Sequence, residues 1–208
     1  MLEQVLGWAT DGGPIVWLLA VGSVYSLALI VLKFVDLSGV LAGVSVRAQA
    51  IRDWEEGRRD AAQKALARKT PADRVLGHAM AGLEAKADRA PLERELERRG
   101  NEELERMRRH LRTLEVIAMV SPLLGLLGTV LGMIQSFQEL ELAGGSANAA
   151  VLAGGIWQAL LTTAAGLIVA IPAAIAANLF SARVDRAGHQ IEDAVSALFA
   201  ADHAQTDG

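Results

Sequence analysis

Charge along this chain is interrupted in three places. Residues 12–32 are uncharged between Asp11 and Lys33, and residues 116–138 are uncharged between Glu115 and Glu139. Residues 142–182 carry no charge at all. About 20 apolar residues cross the hydrocarbon, so the third run is too long for one crossing. Its first part, "AGGSANAA" at 143–150, has turn chemistry. The pattern predicts an all-α membrane protein with three transmembrane helices, at 12–32, 116–138 and 150–180. A third helix starting near Ala149 and ending near Phe180 fits that division. The remaining segments are a short N-terminus at 1–11, a long charged segment at 33–115, a loop at 139–149 and a tail at 181–208.

The charged segment reads differently. It mixes basic and acidic residues, as a solvated helical surface does. Within "RELERRGNEELERMRRHLRTLE" at 94–115, Leu104, Met107, Leu111 and Leu114 recur at spacings of 3, 4 and 3, one narrow apolar seam. Thr70-Pro71 and Ala90-Pro91 are expected to break the segment into two or three helices. After Pro91 only Gly100 interrupts before Pro122. The last helix of the segment is therefore expected to run straight into the second span, as a rod of roughly 70 Å at about 1.5 Å per residue.

Composition agrees with a membrane class. Of 208 residues 52% are hydrophobic, and the mean hydropathy is +0.30. Cysteine is absent, which excludes disulfides, thiolate nucleophiles and Cys-based zinc sites. A net charge of −4 does not suggest a nucleic-acid binder. Residues 1–11 contain no Lys or Arg, so the first span lacks the basic leader of a signal peptide and reads as a retained helix.

Lys and Arg also orient the chain. Eighteen of the twenty lie in 33–115, none in 1–11 or 139–150, and Arg183 and Arg186 lie in the tail. The N-terminus and the short loop are expected outside, and the charged segment and tail in the cytoplasm. Trp8 and Trp17 suit an outer interfacial belt.

Small residues line the second and third spans. Helices in lipid associate by close packing, which small residues permit. Gly125, Gly128, Gly132, Gly155 and Gly166 are assigned to helix packing, together with Pro172. Ala159, Thr162, Thr163, Ala170, Ala173 and Ala177 continue the ridge in the third span. This points to an oligomer, or at least a tight bundle, with these two spans at the interfaces.

Polar residues within the two spans are few. Thr129 can bond the carbonyl of its own helix, four residues back at Gly125. Gln158 has an amide to satisfy away from water and should face protein or a wet cavity. Thr162 lies four residues on, with Thr163 beside it. Neither span contains Asp, Glu, Lys, Arg or His. Protons crossing here would need a carboxylate from elsewhere.

"SPLLGLLGTVLGMIQSF" at 121–137 and "GGIWQALLTTAAGLIVAIPAAIAANLF" at 154–180 resemble the MotA/TolQ/ExbB proton channel family, in its ExbB/TolQ branch. The order of elements is similar too; residues 40–90 carry no matching motif. The resemblance implies a homo-oligomer, a pentamer, whose second and third spans surround a central pore. It implies a single-span partner of the ExbD or TolR kind, whose transmembrane Asp carries the proton. It further implies a periplasm-spanning protein of the TonB or TolA kind, driven by the proton-motive force at the bacterial inner membrane. Thr129 and Thr163 match the family's pore-facing threonines. Thr162 and Gln158 are assigned to the same lining, although Gln158 falls where ExbB and TolQ usually have Glu.

No catalytic motif appears: there is no GxxxxGK[ST], GxSxG or HExxH. His78, His110, His189 and His203 lack metal spacing. No enzyme activity, metal or cofactor is expected. A passive membrane scaffold, or a flagellar-type stator with one span fewer than usual, are the competing readings.

Overall fold

A computed structural model describes residues 13–66, 70–142 and 149–206. Every regular element among them is an α-helix: α1 Gly13–Asp36, α2 Val44–Glu55, α3 Arg59–Ala65, α4 Pro71–Glu84, α5 Arg89–Arg108, α6 Leu111–Leu142 and α7 Ala149–Thr206. Helices α1, α6 and α7 are long and apolar enough to cross a membrane. The N-terminal residues 1–11, including Trp8, and most of the expected turn, 143–148, lie outside the described residues.

The chain divides into two units, residues 1–33 with 110–179, and residues 34–109 with 180–208. In the first, α1 buries one stripe, Ile15, Leu19, Ser26 and Leu29. Ile15 and Leu19 cluster with Val169, backed by Ile117, Leu124 and Ala165. Its other faces leave Trp17, Val21, Val24, Leu27 and Val31 exposed. Such a surface suits lipid or another helix, not water.

The second unit has an ordinary core. Trp54, Leu76, Met80, Leu96, Leu198 and Phe199 are buried together. Thr70 caps α4: its Oγ1 accepts from the Asp73 N–H, Asp73 reaches back to the Thr70 N–H, and Pro71 occupies the first turn. Pro91 likewise sits in the first turn of α5, so both Xaa-Pro steps mark helix starts. Four helices lie between residues 44 and 108, more than the two or three expected. The additional break follows Glu55, where Gly57 takes φ 78°, a value glycine reaches without a Cβ penalty.

Three further expectations change. The uninterrupted rod from Pro91 into the second span does not form. Helix α5 ends at Arg108, and His110, at φ 69°, separates it from α6. Histidine is among the residues that tolerate this left-handed region. Of the expected seam, Met107, Leu111 and Leu114 are buried and Leu104 is half-buried. The last helix does not stop near Phe180. Val184, Ala187, Ile191, Ala194, Leu198 and Ala201 continue at 3 and 4 spacing and are all buried, so tertiary packing extends α7 to Thr206.

Nor is the charged segment wholly a solvated surface. The Arg47 and Asp73 side chains are 4% and 6% exposed and form an ion pair at 2.9 Å. Arg47 Nη1 also donates to the Ala42 carbonyl at 2.8 Å and to Thr70 Oγ1 at 3.1 Å, and Nη2 donates to Gln190 Oε1 at 2.7 Å. Every acceptor belongs to the second unit, so one guanidinium joins the start of α2, the start of α4 and α7.

Candidate pore-wall hairpin

The site is built on α6 and the apolar part of α7. Both are helical through a proline, Pro122 and Pro172. Glycines set how closely they approach. A Cβ on Gly125 would lie 2.9 Å from the Thr162 carbonyl oxygen, and one on Gly128 would lie 2.5 Å from Thr162 Oγ1. A Cβ on Gly166 would meet the Ser121 carbonyl oxygen at 2.5 Å, and one on Gly155 would overlap Ser136 Oγ at 1.7 Å. Gly132 is looser, 3.4 Å from the Ala159 Cβ. These glycines therefore let α6 pack on α7 inside one chain, the tight-bundle form of the expectation. Pro172, expected among them, is exposed.

Polar groups fill the seam where a larger side chain could not. Ser121 Oγ donates to the Ile117 carbonyl at 2.7 Å, and Ser136 Oγ to the Gly132 carbonyl at 2.9 Å. The Gly125 carbonyl is reached at 3.2 Å by the hydroxyls of both Thr162 and Thr163. Thr162 has a nearer acceptor, the Ala159 carbonyl at 2.7 Å. Only Gly125 and Gly128 leave room for this double approach, because any Cβ there would displace the Thr162 side chain or backbone.

The four residues assigned to the lining separate into three environments. Thr162 is 2% exposed and lies against Gly128, within the contact between the two helices. Thr129 and Thr163 are half-buried. Thr129 Oγ1 donates to its own helix at the Leu126 carbonyl, 2.6 Å away, one residue short of the expected Gly125. Thr163 donates across the hairpin. Gln158 is half-buried and lies with Gln135 and Thr162 on a cleft that also touches the start of α1.

The donor assignment has a chemical consequence. A threonine hydroxyl has one proton and two lone pairs. With their protons directed at carbonyls, Thr129 and Thr163 present acceptors outward. A protonated carboxylic acid can donate to such an oxygen without disturbing it. An ionised carboxylate must first turn the hydroxyl away from its carbonyl.

Residues 67–193 match the profile of the MotA/TolQ/ExbB proton channel family. The chain belongs to that family, and its similarities place it in the ExbB/TolQ branch. It is 49% identical over 82 residues to biopolymer transport protein exbB1 of Vibrio cholerae, covering 39% of this chain and 36% of that one. It is 51% identical over 78 residues to the putative biopolymer transport protein ExbB-like 1 of a Synechocystis species, covering 36% and 31%. It is 42% identical over 85 residues to the Tol-Pal system protein TolQ of Haemophilus influenzae, covering 41% and 37%. These matches span about a third of each relative's length. The family match begins well before the two motif-bearing spans, at residue 67, and so takes in part of the segment in which no motif was found.

Proposed function

We propose that this chain is the wall subunit of a proton-driven motor in the bacterial inner membrane. Copies assemble as a homo-oligomer, a pentamer, with α6 and α7 of each around a central pore. A single-span ExbD- or TolR-like protein occupies the pore and brings a transmembrane Asp. Its motion is passed to a TonB- or TolA-like protein that spans the periplasm. In this arrangement the N-terminus and the 139–149 loop are periplasmic, and the 33–115 segment and the tail are cytoplasmic.

One observation carries the reading: the two helices most like the family are uncharged across the membrane, yet each keeps a half-buried threonine, Thr129 and Thr163. An acid of the partner would meet hydroxyl acceptors when protonated, and could recruit them as donors only by breaking a bond to Leu126 or Gly125. Stations around the ring would then differ in energy for the neutral and ionised acid. A carboxylate at mid-membrane is costly by at least about 2.5 kcal/mol. One proton crossing about 100 mV releases about 2.3 kcal/mol from the voltage. At that lower bound the two quantities are of the same order.

The test is proton flux into liposomes under an imposed potential. The chain alone should be tight, and co-reconstitution with an ExbD- or TolR-like single-span protein should admit protons. Conduction by the lone chain would refute the division of labour. A tight vesicle with the partner assembled would favour the passive scaffold.

A further inference from the structure

We infer that each subunit holds a water site, in the cleft between the start of α1 and the α6–α7 hairpin, anchored by the Gln158 amide. The cleft is bordered by Thr162 but not by Thr129 or Thr163, and the inference stands independently of any motor function.

Three observations place water there. The first is the state of Gln158. Among the hydroxyl and amide side chains of α7 from 158 to 178, Thr162, Thr163 and Asn178 all bond to backbone carbonyls of the hairpin. Gln158 makes no hydrogen bond with any described residue. A primary amide offers two donors and an acceptor, and in a membrane such a group is found facing protein or a wet cavity. Gln158 is half-buried against protein, which leaves the cavity.

The second is the lining. Gln135 from α6 and Thr162 from α7 border the same cleft, as do Gly128 and Gly132. Two amides and a hydroxyl give water the two to four polar partners it needs. The Gln135 amide already donates to Glu139 at 3.3 Å, toward the end of α6, so its carbonyl oxygen remains as an acceptor.

The third is size. The cleft measures about 90 Å³, whereas about 15 Å³ is enough for one water. Several molecules fit. Ile15 lines the cleft from α1.

The absence of cysteine makes the test direct. Single Gln158→Cys and Ile15→Cys chains, on opposite walls, are prepared in membrane vesicles opened so that a cationic methanethiosulfonate reaches both faces. This makes the result independent of orientation. The reagent attacks thiolate, which forms only where water reaches the sulfur. Ile168→Cys, on an exposed apolar face of α7, is the lipid reference. Both cleft cysteines should react at least about tenfold faster than the reference. If Gln158→Cys does not accumulate, Ile15→Cys alone decides. Cleft cysteines no faster than Ile168→Cys would overturn the inference.

Discussion

Gly166 faces the Ser121 carbonyl so closely that a Cβ would stand 2.5 Å from the oxygen. The obstacle is backbone, which cannot rotate aside. Gly132, on the same interface, would place its Cβ 3.4 Å from another Cβ. The two glycines therefore differ in what alanine does. Gly166→Ala should lower hairpin stability by about 1–3 kcal/mol, the usual cost of overpacking. Gly132→Ala should be near neutral, since helix propensity returns up to about 1 kcal/mol. Gly128→Leu should be more damaging than either, because it expels Thr162. Thermal unfolding in detergent, followed by helical signal, ranks the three. Equal loss at 132 and 166 would mean that the close contact does not limit the packing.

The buried pair of the second unit makes a different prediction. Arg47→Met strands Asp73, whose partner at 2.9 Å is gone while burial remains. Such single removals cost about 3–5 kcal/mol, whereas replacing both partners with apolar residues is often neutral. Arg47→Met with Asp73→Leu should recover much of the loss, less the helix cap that Asp73 shares with Thr70. A double-mutant cycle on thermal midpoints measures this. An Arg47→Met chain as stable as the parent would show that the pair holds nothing.

The three candidate spans were legible because charge is excluded from lipid, and each uncharged run is long enough to cross it. The small-residue ridge was legible as a ridge, but composition does not say which surface meets it. The structure uses Gly125, Gly128, Gly155 and Gly166 within one chain. Thr162 and Thr163 are adjacent and chemically identical, and only the rotation of α7 against Gly128 separates a buried wedge from a half-buried hydroxyl. The Arg47–Asp73 pair joins residues 26 apart in a segment where charges look interchangeable. The continuation of α7 was present in the sequence, as Val184, Ala187, Ile191 and Ala194 at alternating spacing. Hydropathy ended the third helix near Phe180, and hydropathy measures the membrane, not the helix.

Glu95 supplies a pH test outside the spans. Hydrogen bonds from Arg98, and then from Arg99, hold its carboxyl down to about 2 from an ordinary 4.5. A depressed carboxylate contributes stability above its unfolded value, and that contribution disappears as pH falls toward the folded one. The contribution is therefore full at neutral pH and is lost across the window from 4.5 down to about 2. Carbon-13 titration of the side chain should give a midpoint near the lower value, and Arg98→Ala should move it upward. A midpoint already at the ordinary value would mean that the arginines do not hold it in solution.

The threonines separate the proposed motor from a scaffold. Thr129→Val and Thr163→Val keep shape and remove the hydroxyl, so assembly should persist while gradient-driven activity falls at least about tenfold, the scale of one lost charge-assisted hydrogen bond at about 1.5–3 kcal/mol. Serine at either position retains the hydroxyl and should restore most of the activity, a recovery that a purely steric role would not give. Thr163→Val carries one further risk, because Thr163 also donates to Gly125 across the hairpin. Its thermal midpoint must be compared with that of Thr129→Val, whose bond stays within α6. Gln158→Ala should impair activity less than either change, since that amide faces the cleft beside α1. Complementation of a strain lacking the chain, scored with oligomer mass, distinguishes these outcomes. Full activity in Thr129→Val, with assembly intact, would remove that residue from the proton route.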